Sequence, residues 1–207
     1  MTAGRVIRVL PIPGIISMGL AWDGRMLWNS NNATNLIYQI DPLTGAVIRS
    51  FASPAGDPIG LAWDGRSIWN CDYITKLIYQ IDPYTGRVIR SFASPGNNPT
   101  GLVWDGRTLW NCDLVTRLIY QIAPKTGRVI RSFASPVAAA RGLAWDGRML
   151  WHCDMGSDLI YQIDPWTGRV IRNFVTPGNW GSALVWEGGS LWYGDEVLNA
   201  LYQIAVN

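Results

Sequence analysis

Residues 60–95 read GLAWDGRSIWNCDYITKLIYQIDPYTGRVIRSFASP, and the pattern in this segment predicts the architecture. Short apolar or alternating runs typical of β-strands occur at residues 60–63, 67–71, 77–81 and 87–92. Asp64-Gly65 indicates a tight hairpin turn, for which we expect positive φ at both central positions. Asp82-Pro83-Tyr84-Thr85-Gly86 is a turn between the third and fourth strands. Because no run has the helical period, we predict one four-stranded antiparallel sheet.

This unit recurs along the chain with a period of 41 residues. Three aromatic series follow that step: Trp22, Trp63, Trp104, Trp145 and Trp186; Trp28, Trp69, Trp110, Trp151 and Trp192; and Tyr38, Tyr79, Tyr120, Tyr161 and Tyr202. Four antiparallel strands in about 40 residues make up one blade of a β-propeller. The sequence therefore predicts an all-β fold, a five-bladed β-propeller with residues 1–207 as a single domain.

The two ends of the chain complement each other. The given sequence stops within residues 201–207, just after the third strand of the fifth unit, whereas residues 4–8 (GRVIR) match residues 86–90 at the start of a fourth strand. We therefore expect residues 4–10 to complete the last blade and close the ring, which removes exposed sheet edges. Residues 87–95 and 128–136 are identical, which indicates recent duplication or deliberate construction.

The composition excludes several classes of protein. The chain is 48% hydrophobic and 15% charged with a net charge of +2, so it lacks the basic footprint of a nucleic-acid binder. No apolar run is long enough to span a membrane. Three cysteines without a disulfide-dense pattern fit a reducing compartment. We predict a monomer that is cytoplasmic, or exported with its leader removed.

Most of the residues that recur in the repeats are expected to stabilise the fold. A buried aromatic side chain hides about 150–250 Å². The ten Trp of the two series can therefore form an inter-blade core without metal or disulfides, and a ligand platform is the alternative. The Arg-Val-Ile-Arg strands are expected at the outer edges, where charge discourages edge-to-edge association.

The repeat G-L-x-W-D-G-x-x-L-W…L-I-Y-Q-I-D-P-x-T-G-x-V-I resembles those of the NHL, YncE, streptogramin lyase and plant-type glutaminyl cyclase propellers. This group includes a lyase that opens cyclic peptide antibiotics, a cyclotransferase that forms pyroglutamate, and many binding modules. The cyclase resemblance implies five blades and a Glu-Gly-Trp-Gly-like segment, where this chain has Gly178-Asn179-Trp180-Gly181. The lyase resemblance implies paired histidines, an acidic partner and a divalent ion, whereas this chain has one histidine, His152.

The resemblance also implies that the loop entering each blade and the loop between its second and third strands share one face. These two loops differ most between repeats. The variable positions form three series: Ile16, Asp57, Asn98, Ala139 and Trp180; Met18, Ile59, Thr100, Arg141 and Ser182; and Asn32, Tyr73, Leu114, Met155 and Glu196. Such variation argues against five equivalent sites and permits one asymmetric pocket on the axis. Neutral drift of surface loops is the alternative.

We predict a ligand site drawn from these loops and from the ends of the second strands. Its candidate residues are His152, Tyr193, Arg141, Glu196, Trp180, Asp57 and Asn98. The aspartates that follow the second strands are expected to cap the loops. No catalytic residue is assigned, because His152 and Cys153 are neighbours on one strand and their side chains point to opposite faces.

Three cysteines occupy one repeat position, namely Cys71, Cys112 and Cys153, where the other two repeats have Ser30 and Gly194. Thiols with an imidazole could bind a soft metal. The spacing between neighbouring blades argues against a compact site and against disulfides, so small buried residues are the main interpretation. No cofactor is expected, with a divalent or soft metal ion as the open alternative.

Three functions remain in competition. The first is a binding or interaction scaffold that uses the loop-rich face for a small molecule, glycan or peptide, without nucleic acid or membrane as partner. The second is a lyase or glutaminyl cyclotransferase-like enzyme, which the sequence favours less than a binding scaffold. The third is a designed or recently amplified propeller without an evolved ligand.

Overall fold

The computed structural model describes residues 4–14 and 17–206. Ile16, which the sequence assigns to a loop between blades, lies outside them. Every element within these residues is a β-strand. Over the same range there is therefore no helix with the length and hydrophobicity to cross a membrane.

The described residues contain twenty strands in five four-stranded sheets, which are the blades. Blade 1 comprises β2 (Gly19–Trp22), β3 (Leu27–Asn31), β4 (Leu36–Ile40) and β5 (Val47–Ala52). Blade 2 comprises β6 (Pro58–Trp63), β7 (Ile68–Asp72), β8 (Leu77–Ile81) and β9 (Val88–Ala93). Blade 3 comprises β10 (Pro99–Trp104), β11 (Leu109–Asp113), β12 (Leu118–Ile122) and β13 (Val129–Ala134). Blade 4 comprises β14 (Ala140–Trp145), β15 (Leu150–Asp154), β16 (Leu159–Ile163) and β17 (Val170–Val175). Blade 5 comprises β18 (Gly181–Glu187), β19 (Ser190–Asp195), β20 (Ala200–Ala205) and β1 (Arg5–Pro11).

The blades are arranged in a closed ring. Within each blade the neighbouring strands are antiparallel. The first strand of each blade contacts the first strands of both adjacent blades, and β18 contacts β2 to complete the circle. The all-β, five-bladed propeller predicted from the period of the sequence is confirmed.

The N-terminal strand closes the last blade. β1 pairs with β20, with Val6 opposite Ile204 and Leu10 opposite Leu201. Leu10 is buried and takes the place that Phe92 has in blade 2, opposite Ile78. The closure inferred from the two ends of the sequence is confirmed.

The two tryptophan series differ in their burial. The second series is almost completely buried between blades and consists of Trp28, Trp69, Trp110, Trp151 and Trp192. In each case the indole Nε1 donates to the carboxylate of the preceding hairpin turn, as Trp69 does to Asp64 at 2.7 Å. The first series is half-buried and lines a cavity on the axis, on the face formed by these turns. The core prediction is therefore confirmed for the second series and holds in part for the first.

Two local predictions need correction. Only Gly65 takes positive φ (93°), so the prediction for Asp64 is wrong. Asp64 Oδ1 accepts the backbone N–H groups of Arg66 and Ser67, which places the aspartate beside the turn rather than at its centre. In blades 2 to 5 the first strands also begin earlier than expected, so that Arg141 lies within β14 and not in the loop that precedes it.

Candidate ligand-binding pocket

The first strands leave almost no channel through the ring. A Cβ on Gly60 would lie 2.3 Å from the carbonyl oxygen of Thr100, and a Cβ on Gly101 would lie 2.1 Å from that of Arg141. These glycines therefore permit a close approach of the backbones of neighbouring blades. Five leucines fill the remaining space and leave about 10 Å³: Leu20, Leu61, Leu102, Leu143 and Leu184. Any cavity on the loop face is therefore blind.

In blades 2 and 3 a buried aspartate joins the two variable loops of the blade to each other. Asp72 Oδ2 accepts the backbone N–H of Asp57 at 2.8 Å, and its Oδ1 accepts that of Thr75 at 2.7 Å. Asp113 Oδ2 and Oδ1 make the matching bonds to Asn98 and Thr116. The prediction that this series caps the loops is confirmed. Because one carboxylate serves both loops, the side chains that the loops carry have a defined position around the axis.

A cavity of about 320 Å³ opens on the axis of this face. Its volume falls in the range of small-molecule sites. Nine residues of the described part of the chain line it: Met18, Asn32, Asp57, Ile59, Tyr73, Thr100, Leu114, Arg141 and Glu196. All nine belong to the three series that vary between repeats. The cavity is therefore asymmetric although the frame is nearly fivefold.

The polar side chains of the cavity carry both signs of charge. Arg141 is held by an Nε contact of 2.7 Å to Met155 Sδ. Asp57 Oδ1 accepts a hydrogen bond from Asn32 Nδ2 at 3.0 Å. Burial raises the pKa of Glu196, an effect that the nearby Arg141 guanidinium opposes. One cation and two carboxylates thus face the same cavity, beside the apolar side chains of Met18, Ile59 and Leu114.

His152 and Tyr193 do not reach this cavity. Both are fully buried on the second strands of their blades. His152 Nδ1 donates to the Gly142 carbonyl oxygen at 2.9 Å, so Nε2 accepts from Ser135 Oγ at 3.1 Å. Burial lowers the pKa of His152 to about 4. Tyr193 OH donates to the Gly178 carbonyl oxygen, and burial raises its pKa.

Asn98 and Trp180 lie in loops at the edge of the same face and are not among the residues that line the cavity. The Asn98 carbonyl oxygen accepts the backbone N–H of Leu114, which lines the cavity. Trp180 is 47% exposed, and its carbonyl oxygen accepts the backbone N–H of Glu196. These two residues therefore support residues of the cavity through the backbone.

The three cysteines are separated by the blade structure and buried in different core clusters. Cys71 Sγ donates to the Thr100 carbonyl oxygen at 3.1 Å, and Cys112 Sγ donates to that of Arg141 at 3.0 Å. Across residues 4–14 and 17–206, no three His, Cys, Asp or Glu side chains come together as a metal-binding group. The geometry therefore gives the three thiols a framework position.

No protein-family model matches this chain, and no curated protein matches its sequence. Among solved structures it is similar to glutaminyl cyclase of Myxococcus xanthus, with 15% identity and a TM-score of 0.85 over 99% of this chain and 98% of that one. It is also similar to virginiamycin B lyase of Staphylococcus aureus, solved as an inactive variant with quinupristin. The identity is 18% and the TM-score 0.61, over 96% of this chain and 69% of the lyase. These similarities show that the chain has the same fold as these two proteins, as the repeat motif suggested.

Proposed function

We propose that the protein is a binding module that takes a small zwitterionic molecule, such as a free amino acid or a short peptide, in the axial cavity of the loop face. The supporting observation is the placement of Arg141 together with Asp57 and Glu196 around one blind cavity of about 320 Å³. A guanidinium binds a carboxylate through its fork of N–H groups. A carboxylate in turn accepts hydrogen bonds from an ammonium group, and the apolar side chains of the cavity accommodate the rest of the ligand.

The test is a thermal-unfolding screen of the protein with amino acids and dipeptides, and with glycans and zinc ions as competing classes. We expect at least one zwitterion to raise the melting temperature in a saturable way. Arg141→Met should abolish that increase. Arg117→Met is the matched control, because Arg117 lies in a loop that precedes a third strand and does not line the cavity.

Two results would contradict the proposal. One is a screen in which no zwitterion stabilises the protein, as the third hypothesis of a propeller without an evolved ligand requires. The other is stabilisation that persists undiminished in Arg141→Met, because the ligand would then bind elsewhere. Stabilisation by glycans alone would also contradict it, because the ligand would then be a sugar and not a zwitterion.

A glutaminyl cyclotransferase activity is the second candidate. It is favoured by the similarity to a glutaminyl cyclase over nearly the full length of both chains. In this reading Glu196, with its raised pKa, is the group in the cavity suited to exchange a proton with the substrate. Incubation with a glutaminyl peptide should then release ammonia, and Glu196→Gln should stop the release. A peptide that remains intact at high protein concentration would exclude this activity.

A further inference from the structure

The rim of the propeller repeats one arginine five times, in different surroundings. These rim arginines lie on the outermost strands opposite a glutamine of the third strand: Arg8, Arg49, Arg90, Arg131 and Arg172. For four of them the next blade has a turn residue at one repeat position between its third and fourth strands: Leu43 for Arg8, Tyr84 for Arg49, Lys125 for Arg90 and Trp166 for Arg131. The guanidinium groups of Arg49 and Arg131 lie over the rings of Tyr84 and Trp166. The frame is therefore constant, and the turn residue varies.

Trp166 fixes the position of Arg131. The guanidinium lies 4.2 Å from the centre of the Trp166 ring and 5.2 Å from that of Trp110, so that it is enclosed by two indoles. Its Nε donates to Gln121 Oε1 at 2.8 Å. The terminal nitrogens of Arg131 have no hydrogen-bond partner among residues 4–14 and 17–206. Two aromatic planes thus orient a guanidinium whose fork is available to an anion.

The other rim arginines show that the enclosure of the guanidinium between two rings depends on the turn residue. Opposite Leu43, Arg8 Nη1 instead donates to the carbonyl oxygen of Pro42 at 2.6 Å. Arg90, for which the turn position holds Lys125, is exposed. Its partner Gln80 has a buried Oε1 without a hydrogen-bond partner in the described part of the chain. Arg172 Nε also donates to Gln162 Oε1, at 2.9 Å, so the bond to the glutamine does not require an aromatic turn residue. What Tyr84 and Trp166 add is a second ring over the guanidinium of Arg49 and of Arg131.

A groove of about 470 Å³ runs beside Arg131, between blades 3 and 4 on the face of the hairpin turns. Trp145, Pro165 and Trp166 of blade 4 form one side, and Arg107 of blade 3 adds a second cation. Among the described residues that line the groove, the one carboxylate is that of Asp105, and it already accepts hydrogen bonds from Thr108 and Trp110. The groove therefore combines available positive charge with flat apolar surface. Trp166 is 78% exposed within it.

We propose that this groove is a second ligand site, distinct from the axial cavity, and that it binds a small aromatic carboxylate. The carboxylate accepts a bidentate pair of hydrogen bonds from the terminal nitrogens of Arg131. The aromatic ring of the ligand stacks in the groove against the indoles of Trp145 and Trp166. The charge of the groove selects the acid, and its aromatic surface selects a flat ring.

The test is calorimetric titration with 2-naphthoate and, as its neutral counterpart, 2-naphthamide. We expect the acid to bind at least tenfold more tightly than the amide, the ratio expected for a charge-assisted hydrogen bond. Trp166→Lys introduces the residue that the repeat position has in the Arg90 turn. It should lower the affinity for 2-naphthoate by about tenfold or more. Arg90→Gln, at a rim arginine without an aromatic partner, should leave the affinity unchanged.

The reverse substitution supplies a gain of binding. Lys125→Trp places an indole opposite Arg90 and should raise the number of 2-naphthoate molecules bound per chain by one. Equal binding of acid and amide would overturn the proposal, as would full affinity in Trp166→Lys. Binding of neutral glycans in place of the acid would overturn it in favour of a carbohydrate site. Thermal unfolding of each variant confirms that the fold is retained.

Discussion

Cys112 Sγ donates a hydrogen bond to the carbonyl oxygen of Arg141, 3.0 Å away on the first strand of the next blade. Cys71 bonds Thr100 in the same way, and the hydroxyl of Ser30 bonds the carbonyl oxygen of Ile59. All three acceptors are residues that line the axial cavity. In blades 1 to 3 the small residue of the second strand therefore positions the wall of the pocket in the neighbouring blade, which explains why a thiol or hydroxyl recurs there.

Removal of the Cys112 donor should therefore destabilise the junction of blades 3 and 4. Cys112→Ala deletes the bond to Arg141 and leaves a buried carbonyl oxygen without this donor, which costs about 1–3 kcal/mol in the free energy of unfolding. Cys112→Ser keeps a donor and reproduces Ser30, so its effect should be smaller. Urea unfolding of both variants measures the difference. An alanine variant as stable as the wild type would show that the bond contributes nothing.

The cysteines should be chemically inert in the folded protein. Burial raises the pKa of Cys112 to about 11, and it raises the pKa of Cys71 and of Cys153 as well. Because the thiolate is the reactive form, iodoacetamide at pH 8 should modify none of them until denaturant is added. Mass spectrometry before and after unfolding counts the modified thiols. Rapid labelling of the native protein would contradict the burial described above.

His152 should make the protein sensitive to acid. Its pKa of about 4 lies below the 6.5 of an exposed histidine, so the unfolded chain binds a proton that the folded protein does not between these pH values. The contribution of His152 to the free energy of unfolding is therefore fully present above pH 6.5. It is lost as the pH falls towards 4, by up to about 3 kcal/mol.

His152→Asn is the matched variant, because Asn111 occupies the same position in blade 3. Asn111 Nδ2 donates to Gly101 and its Oδ1 accepts from Ser94, as the imidazole does with Gly142 and Ser135. The melting temperatures of wild type and variant should agree at pH 7.5 and diverge below pH 6.5, with the variant more stable. Parallel curves throughout would show that His152 does not titrate in this window.

Glu196 should have the opposite pH dependence. Its pKa is raised by burial, so in the window just above the ordinary carboxyl pKa the folded protein retains a proton that the unfolded chain has lost. The stability of the wild type therefore falls as the pH rises through this window. Glu196→Gln carries no charge and should be the more stable protein at pH 7, with no advantage at low pH. A glutamine variant that is less stable at pH 7 would refute this account.

The repeat made the fold predictable in unusual detail. One period gave the number of blades, and the match between residues 4–8 and residues 86–90 gave the closure, because framework residues recur wherever the frame does. The hairpin turn was harder to predict. Asp64 and Gly65 indicate a tight turn, yet the position of its centre depends on which amides the aspartate accepts, namely those of Arg66 and Ser67.

The site was predictable where the repeats differ and not where they agree. All nine residues of the axial cavity belong to the variable series, whereas His152 and Tyr193 come from the second strands and are buried there. The chemical character of a histidine drew attention to His152, but its position belongs to the frame, since Asn29, Asn70 and Asn111 occupy it in other blades. The groove beside Trp166 escaped prediction because its variable residue lies in a hairpin turn, whereas the sequence analysis considered the variation of the loops on the other face.

Gly101 provides a direct test of how tightly the ring is closed. A methyl group there would lie 2.1 Å from the Arg141 carbonyl oxygen and 2.9 Å from Cys112 Sγ. Gly101→Ala must therefore push blades 3 and 4 apart, at a cost of about 1–3 kcal/mol or more, and should displace Arg141 in the pocket. Blade 5 has Ala183 at this position, together with Gly194 where blades 2 to 4 have a thiol and blade 1 has the hydroxyl of Ser30. Ala183→Gly is the control, and it should cost only about 0.5–1 kcal/mol because it adds freedom without a clash. Chemical unfolding compares the two, and a Gly101→Ala protein as stable as the control would show that the blades are not in close backbone contact.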